Sequence, residues 1–236
     1  MHRIAISPEA EAFARRQRGG ALHVFETIDL ARTAHVVVDL QHGFMEPGAP
    51  VEVPCARDIV PNVNAISAAV RKGGGTNLFL RMTADEGSLQ SWSTWFKYFH
   101  TPESTIGMLE AFGRGAHHWQ LWPDLDVQDA DPKVDKTRFG AFVPGASNLH
   151  QVLQDRGIDT LIITGTLSNC CCESTARDAM QMNYKLIFVS DANAALTDTA
   201  HNATLDNMCM LFADVMSTQE VLGVVVRSAG ALQAAE

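Results

Sequence analysis

Residues 160–183 read TLIITGTLSNCCCESTARDAMQMN. The opening residues, up to Thr164, are β-branched or aliphatic and close on Gly165, the pattern of a strand buried in a parallel sheet. Beyond three adjacent cysteines, Cys172, Ala176, Ala179 and Met180 recur at i, i+4, i+7 and i+8. That spacing predicts a helix with one small apolar face, suited to close packing on a sheet. Asn169 is expected as its N-cap, Glu173 in its first turn and Asn183 as its closing residue. A cysteine at the start of a helix meets unsatisfied N–H groups and a positive partial charge, which favour thiolate over thiol. A nucleophile belongs at such a turn, although buried cysteines also serve simply as small hydrophobes.

Outward from this stretch, residues 35–40 (HVVVDL) predict a second buried strand. Asp39 stands at its C-terminal end, where open α/β sheets place their ligands. Further strands are expected at 76–82, in 133–142 (KVDKTRFGAF, running into a loop), at 185–190 and at 214–217. Helices are expected at 59–72, 148–156, 201–212 and 218–226, the last capped by Thr218. Six strands alternating with helices predict an α/β fold: a doubly wound, mostly parallel six-stranded sheet with helices on both faces. Residues 1–31 read as a polar N-terminal arm, with 21–30 as an edge strand. Residues 32–226 read as one domain and 227–236 as a C-terminal tail. Within the domain, 84–120 is a distinct insertion, since it holds seven of the chain's 17 Phe, Tyr and Trp residues. It reads equally as a lid over a substrate pocket or as an oligomer interface.

Composition narrows the function. A net charge of -9 argues against nucleic acid or an anionic membrane as partner. No apolar run approaches membrane-spanning length, and no signal core precedes the first glycines. Five cysteines, three of them adjacent, make no disulfide framework, and a reducing cytoplasm is the expected setting. Neither CxxC nor HExxH occurs, and no phosphate-binding glycine loop is present, which argues against a zinc motif of that kind and against a nucleotide.

Three stretches together, VVVDLQHGF (36–44), DKTRFGAF (135–142) and GIDTLIITGTLSNCCCESTARDA (157–179), resemble the isochorismatase-like cysteine hydrolases, which include nicotinamidases, N-carbamoylsarcosine amidases and ureidoacrylate amidohydrolases. The likeness runs over about residues 32–222, and its third motif is the most specific. Gly165 and Asn169 match the family pattern, Ser168 replaces its usual Thr, and the nucleophile falls on Cys171. The resemblance implies a catalytic triad of Asp39, Lys136 and Cys171, with Asp39 as base. It also implies an oxyanion hole at the N–H groups of Leu167 and Cys171, and a cis peptide between Thr166 and Leu167. Zinc-binding members carry Asp-x-His after the second strand. Here that stretch reads FLRMTADEGS, so no metal and no other cofactor are expected, and His100, His117 and His118 read as ordinary surface or lid residues. Phe44, Trp92, Trp95 and Phe142 are expected to flank the substrate, with Gln41 as a polar contact.

The expected activity is cleavage of a C–N bond in a small carboxamide, carbamoyl or ureido compound through a thioester. The rivals are vinyl-ether hydrolysis of an isochorismate-like substrate, which needs no thiol, and a non-catalytic binding protein on the same scaffold. A homo-oligomer, dimer or tetramer, is expected from the resemblance and from the polar residues 1–20 of the arm, which show no helix or strand of their own.

Overall fold

The computed structural model describes residues 1–233. Strands β1 (Thr33–Val38), β2 (Thr76–Met82), β3 (Lys133–Lys136), β4 (Thr160–Thr166), β5 (Lys185–Ala194) and β6 (Asp214–Met216) pair entirely in parallel, in the order β3-β2-β1-β4-β5-β6. The chain builds outward from β1 to β3, returns to the centre at β4, and builds outward on the other side. Strand order therefore reverses between β1 and β4, and an open sheet forms its ligand crevice at the carboxyl ends of the strands flanking such a reversal.

The helices are α1 (Pro8–Gln17), α2 (His42–Met45), α3 (Val60–Lys72), α4 (Glu86–Ser91), α5 (Ser93–Tyr98), α6 (Pro102–Phe112), α7 (Leu149–Asp155), α8 (Glu173–Gln181), α9 (Asp198–Asn207) and α10 (Thr218–Gln233). All six residues of β1 and all seven of β4 are buried, as central strands covered on both faces must be. Val37 and Ile162 point into a core built with Ile66 of α3 and Val221 of α10. Val36, Val38 and Ile163 point the other way, against Leu153 of α7, Ala176 of α8 and Leu205 of α9. Gly165 holds φ at +125°, and a Cβ there would lie 2.1 Å from the Val38 carbonyl oxygen. Only glycine lets β4 approach β1 this closely.

The amino-terminal reading is corrected. Residues 1–31 do not form an unpacked arm: α1 is capped by Ser7, and its Ala10 and Ala14 are buried. His2 is buried too, stacked on His201 with ring centroids 4.4 Å apart. The absence of a packed arm element therefore no longer supports an oligomer. Residues 21–30 form no edge strand. Their N–H groups go to side chains instead, Val24 and Phe25 to Asp214, and Ile28 to Ser228. At the other end α10 runs on to Gln233, so residues 227–233 are helix, and 234–236 of the expected tail lie outside the described residues. Ser217, not Thr218, caps α10 through reciprocal bonds with Glu220, while Thr218 bonds Asp191. The 84–120 insertion folds as α4, α5 and α6, two of them opened by capping boxes at Asp85 and Thr101.

Candidate active site

β1 ends at the point of strand reversal, and Asp39 follows it with φ at +52°, a left-handed conformation that aspartate tolerates better than most residues. Its backbone N–H donates to the Leu80 carbonyl of β2 at 3.1 Å, which fixes the turn. Lys136 ends β3, two strands away, and its chain passes Met82 at the end of β2, with Nζ 3.8 Å from the sulfur. The ammonium stops 2.7 Å from Asp39 Oδ2 and donates to the Arg138 carbonyl at 3.1 Å; neither it nor the carboxylate is exposed.

The third component comes from the far side of the reversal. After β4 the Thr166–Leu167 peptide is cis, and Ser168–Cys172 forms a π-helical turn that leads into α8. Such turns are frequent at functional sites. Asn169 is exposed and caps nothing, which corrects its reading as N-cap. The turn is held from behind by a histidine: His201 donates from Nε2 to the Ser190 carbonyl, so its Nδ1 accepts from the Ser168 hydroxyl at 2.7 Å. Burial brings the His201 pKa down to about 4, keeping it in this neutral form. α8 closes with Asn183 at φ +71° and the Tyr184 N–H bonded back to Ala179. Met180 is exposed, so the buried face of α8 is made by Cys172, Thr175, Ala176 and Ala179.

The three thiols have three environments. Cys172 is fully buried in helix–sheet packing, Cys170 is partly exposed, and Cys171 is 3% exposed and near enough to Asp39 and Lys136 to influence the protonation of both. Burial pushes the Asp39 carboxyl above its ordinary range, while Lys136 and the Cys171 thiol pull it back. Burial works against the Lys136 ammonium, but Asp39 and the Cys171 sulfur outweigh it and hold its pKa above that of free lysine. A hydrogen bond shared between the neighbouring sulfurs pushes Cys171 up and pulls Cys170 down, and burial adds to the rise at Cys171. Neither Asp39 oxygen receives a well-directed hydrogen bond among the described residues, which leaves lone pairs free to take a proton. The Leu167 N–H likewise has no partner there. A thiol, a carboxylate and an ammonium thus meet in one water-poor place, groups of the kind that can activate a sulfur for attack on a carbonyl.

The aromatic side chains divide otherwise than the sequence suggests. Trp92 and Trp95 stack at 4.2 Å, and both are met edge-on by Phe96 from their own insertion and by Phe139 from the loop after β3, the latter at 4.8 and 5.5 Å. Phe142 turns away to Tyr184 and His150, and Phe44 packs on Phe112. Gln41 is fully buried, with Nε2 donating to the Met82 and Trp119 carbonyls and Oε1 accepting from the Met82 N–H. Its amide therefore ties the scaffold together. Phe139 was missed because a loop has no periodicity to say which of two phenylalanines points where. A cleft of about 510 Å³ lies between Trp92, Arg138, Phe139, Ser174 and Arg177, and its walls do not include the triad.

In the stretch where Asp-x-His would stand, Thr83 accepts from the Trp119 indole and Asp85 caps α4, so no imidazole comes from there. His117 and His118 are not isolated surface residues: both turn toward Glu46. No helix of the described residues is long and apolar enough to cross a membrane.

Comparison with known proteins agrees with this architecture. A cysteine hydrolase from Pseudomonas syringae pv. phaseolicola has the same fold, with a TM-score of 0.76 at 27% identity over 88% of this chain and 98% of its own. The ureidoacrylate amidohydrolase RutB of Caulobacter vibrioides is 29% identical over 211 residues, covering 83% of this chain and 92% of its own. The uncharacterized isochorismatase family protein YwoC of Bacillus subtilis is 31% identical over 196 residues, covering 83% of this chain and 95% of its own. Residues 33–220, from the first residue of β1 to the first turn of α10, match the model of the isochorismatase domain, and the chain is therefore a hydrolase of the isochorismatase family.

Proposed function

We propose that the protein is a cysteine amidohydrolase that cleaves a C–N bond of a small carboxamide, carbamoyl or ureido compound through a thioester. The observation that carries this is the fully buried Asp39–Lys136 pair with the Cys171 sulfur beside it. A vinyl-ether hydrolase has no use for a thiol there, and the similarity to a ureidoacrylate amidohydrolase points the same way.

In the resting site Cys171 is a thiol beside the Asp39 carboxylate. Asp39 takes the S–H proton as the sulfur attacks the substrate carbonyl, and Lys136 balances the negative charge that passes between carboxylate and thiolate. The carbonyl oxygen becomes an oxyanion facing the N–H groups of Leu167 and Cys171. Collapse breaks the C–N bond, and the leaving nitrogen takes the proton from Asp39. Water then attacks the thioester and gives a proton to Asp39. Breaking the C–S bond releases the acid, and the sulfur recovers its proton. A carboxylate raised by burial suits both halves, because its pKa moves toward the pH at which it must accept and return a proton. No step requires a metal or an organic cofactor.

The test is a panel of amides, carbamoyl compounds and ureido acids assayed for ammonia release, beside isochorismate assayed for pyruvate. Ammonia from at least one member, lost in Cys171→Ser, is expected. Pyruvate release that survives Cys171→Ser would replace this reading with the vinyl-ether one. Silence on every substrate, with binding retained, would replace it with a binding protein.

A further inference from the structure

His42 opens α2 and Glu46 follows its last residue, an i, i+4 pair that a helical turn brings to one face. The segment after α6 runs back against this turn. The His42 N–H donates to the Gln120 carbonyl and the Gly43 N–H to the His118 carbonyl, both at 2.9 Å, and the Trp122 N–H donates to Leu40. This backbone seam sets His117 opposite Glu46, although the two are 71 residues apart in sequence. His117 Nε2 is 2.6 Å from Glu46 Oε2, and His42 Nδ1 is 3.3 Å from the same oxygen. One donor atom from each of the three residues lies within 4.8 Å of the others, and His118 Nε2 is 3.9 Å from Glu46 Oε2. His117 is well exposed and His42 mostly covered, so the group sits at a surface with a supported base and a path for an ion.

We propose that His42, Glu46 and His117 form a binding site for a divalent transition ion of the zinc class, with His118 available to complete the set. The chemistry of the donors selects the ion. Two or three imidazoles with one carboxylate suit zinc and its neighbours, whereas magnesium and calcium require oxygen ligands. Bonds of about 2.0–2.2 Å place tetrahedral ligand atoms about 3.3 Å apart. His42 and Glu46 already have that spacing, and His117 must draw back from its present hydrogen bond.

The site uses none of Asp39, Lys136 and Cys171. It fastens α2, which follows Asp39, to the return segment that carries Trp119. The Trp119 indole bonds Thr83, its carbonyl accepts from Gln41, and Arg81 lies over its ring at 3.8 Å. An ion there clamps the base of the 84–120 insertion to the sheet. It acts on the rigidity of the aromatic cover and takes no part in bond cleavage.

The experiment is titration of the chelator-treated, desalted full chain with zinc chloride, read by calorimetry and by thermal unfolding, with magnesium chloride as a control. Saturable binding of one ion per chain and a rise in Tm are expected with zinc, and neither with magnesium. His117→Ala and Glu46→Gln should each weaken binding at least about tenfold, since outer-shell changes alone cost that much. Cobalt in place of zinc should give a d–d spectrum that is lost in the same variants. Absence of saturable binding, or binding unchanged in both variants, would overturn the proposal. So would binding that survives His117→Ala but disappears in Cys171→Ser, which would assign the ion to the thiols.

Discussion

Lys136 Nζ lies 2.7 Å from Asp39 Oδ2 with neither side chain exposed. Two charges taken out of water offset each other only while both are present. Asp39→Ala should therefore lower stability by about 3–5 kcal/mol as well as abolish turnover, because it strands a buried ammonium. Pairing it with Lys136→Met should restore much of the stability and none of the activity. Urea unfolding of the three variants measures this, and an Asp39→Ala protein as stable as the parent would refute it.

Cys171→Ser should abolish turnover, while Cys170→Ala and Cys172→Ala keep it. Cys172→Ala should cost about 1 kcal/mol for its buried sulfur. The bond between Cys170 and Cys171 is the largest influence raising the Cys171 pKa. Removing it in Cys170→Ala should move the alkaline limb of the kcat/KM profile to lower pH, since the resting Cys171 thiol then loses its proton more readily. An unshifted limb would mean that the two sulfurs do not share a proton during the reaction.

Phe139 bridges the Trp92–Trp95 stack and the Lys136 loop, whereas Phe142 packs on Tyr184. Trp92→Ala and Phe139→Ala should each raise KM about tenfold, equivalent to about 1.4 kcal/mol of binding. Phe142→Ala should lower Tm and leave KM unchanged. The reverse pattern in steady-state kinetics would assign the substrate wall to Phe142.

His35 is buried between the hydroxyls of Thr164 and Ser67, and burial lowers its pKa from 6.5 to about 3. The unfolded chain binds a proton here that the folded one refuses. Its contribution is complete above pH 6.5 and is lost progressively as pH falls from 6.5 toward 3, at up to about 1.4 kcal/mol per pH unit. His201 adds to the same trend between 6.5 and about 4. Stability by urea unfolding should fall between pH 7 and pH 5, and His35→Gln should reduce that fall. An equal fall in His35→Gln would remove His35 as its cause.

The central strands were legible in the sequence because a strand buried on both faces favours an unbroken run of β-branched and aliphatic residues, and residues 160–164 and 36–38 are such runs. Asp39 could be marked because it directly follows such a strand, and Cys171 because it lies in the strand-to-helix turn on which the resemblance places the nucleophile. The amino terminus misled because α1 buries only Ala10 and Ala14, too weak an apolar signal to separate a packed helix from a polar arm.

By itself the sequence determined the alternation of strands and helices, and with it a parallel sheet whose reversal point faces Asp39 on one side and the cysteine turn on the other. Periodicity states which way a side chain leaves its own element, and that is enough to build the sheet. It says nothing about which distant element lies opposite. The resemblance grouped Lys136 with Asp39, but tertiary structure alone decided that it reaches there past Met82, that Phe139 rather than Phe142 joins the tryptophans, and that His117 meets Glu46. Each of these contacts joins side chains whose separation in the chain is set by the packing of β2, α2 and the insertion, and no local pattern encodes that distance.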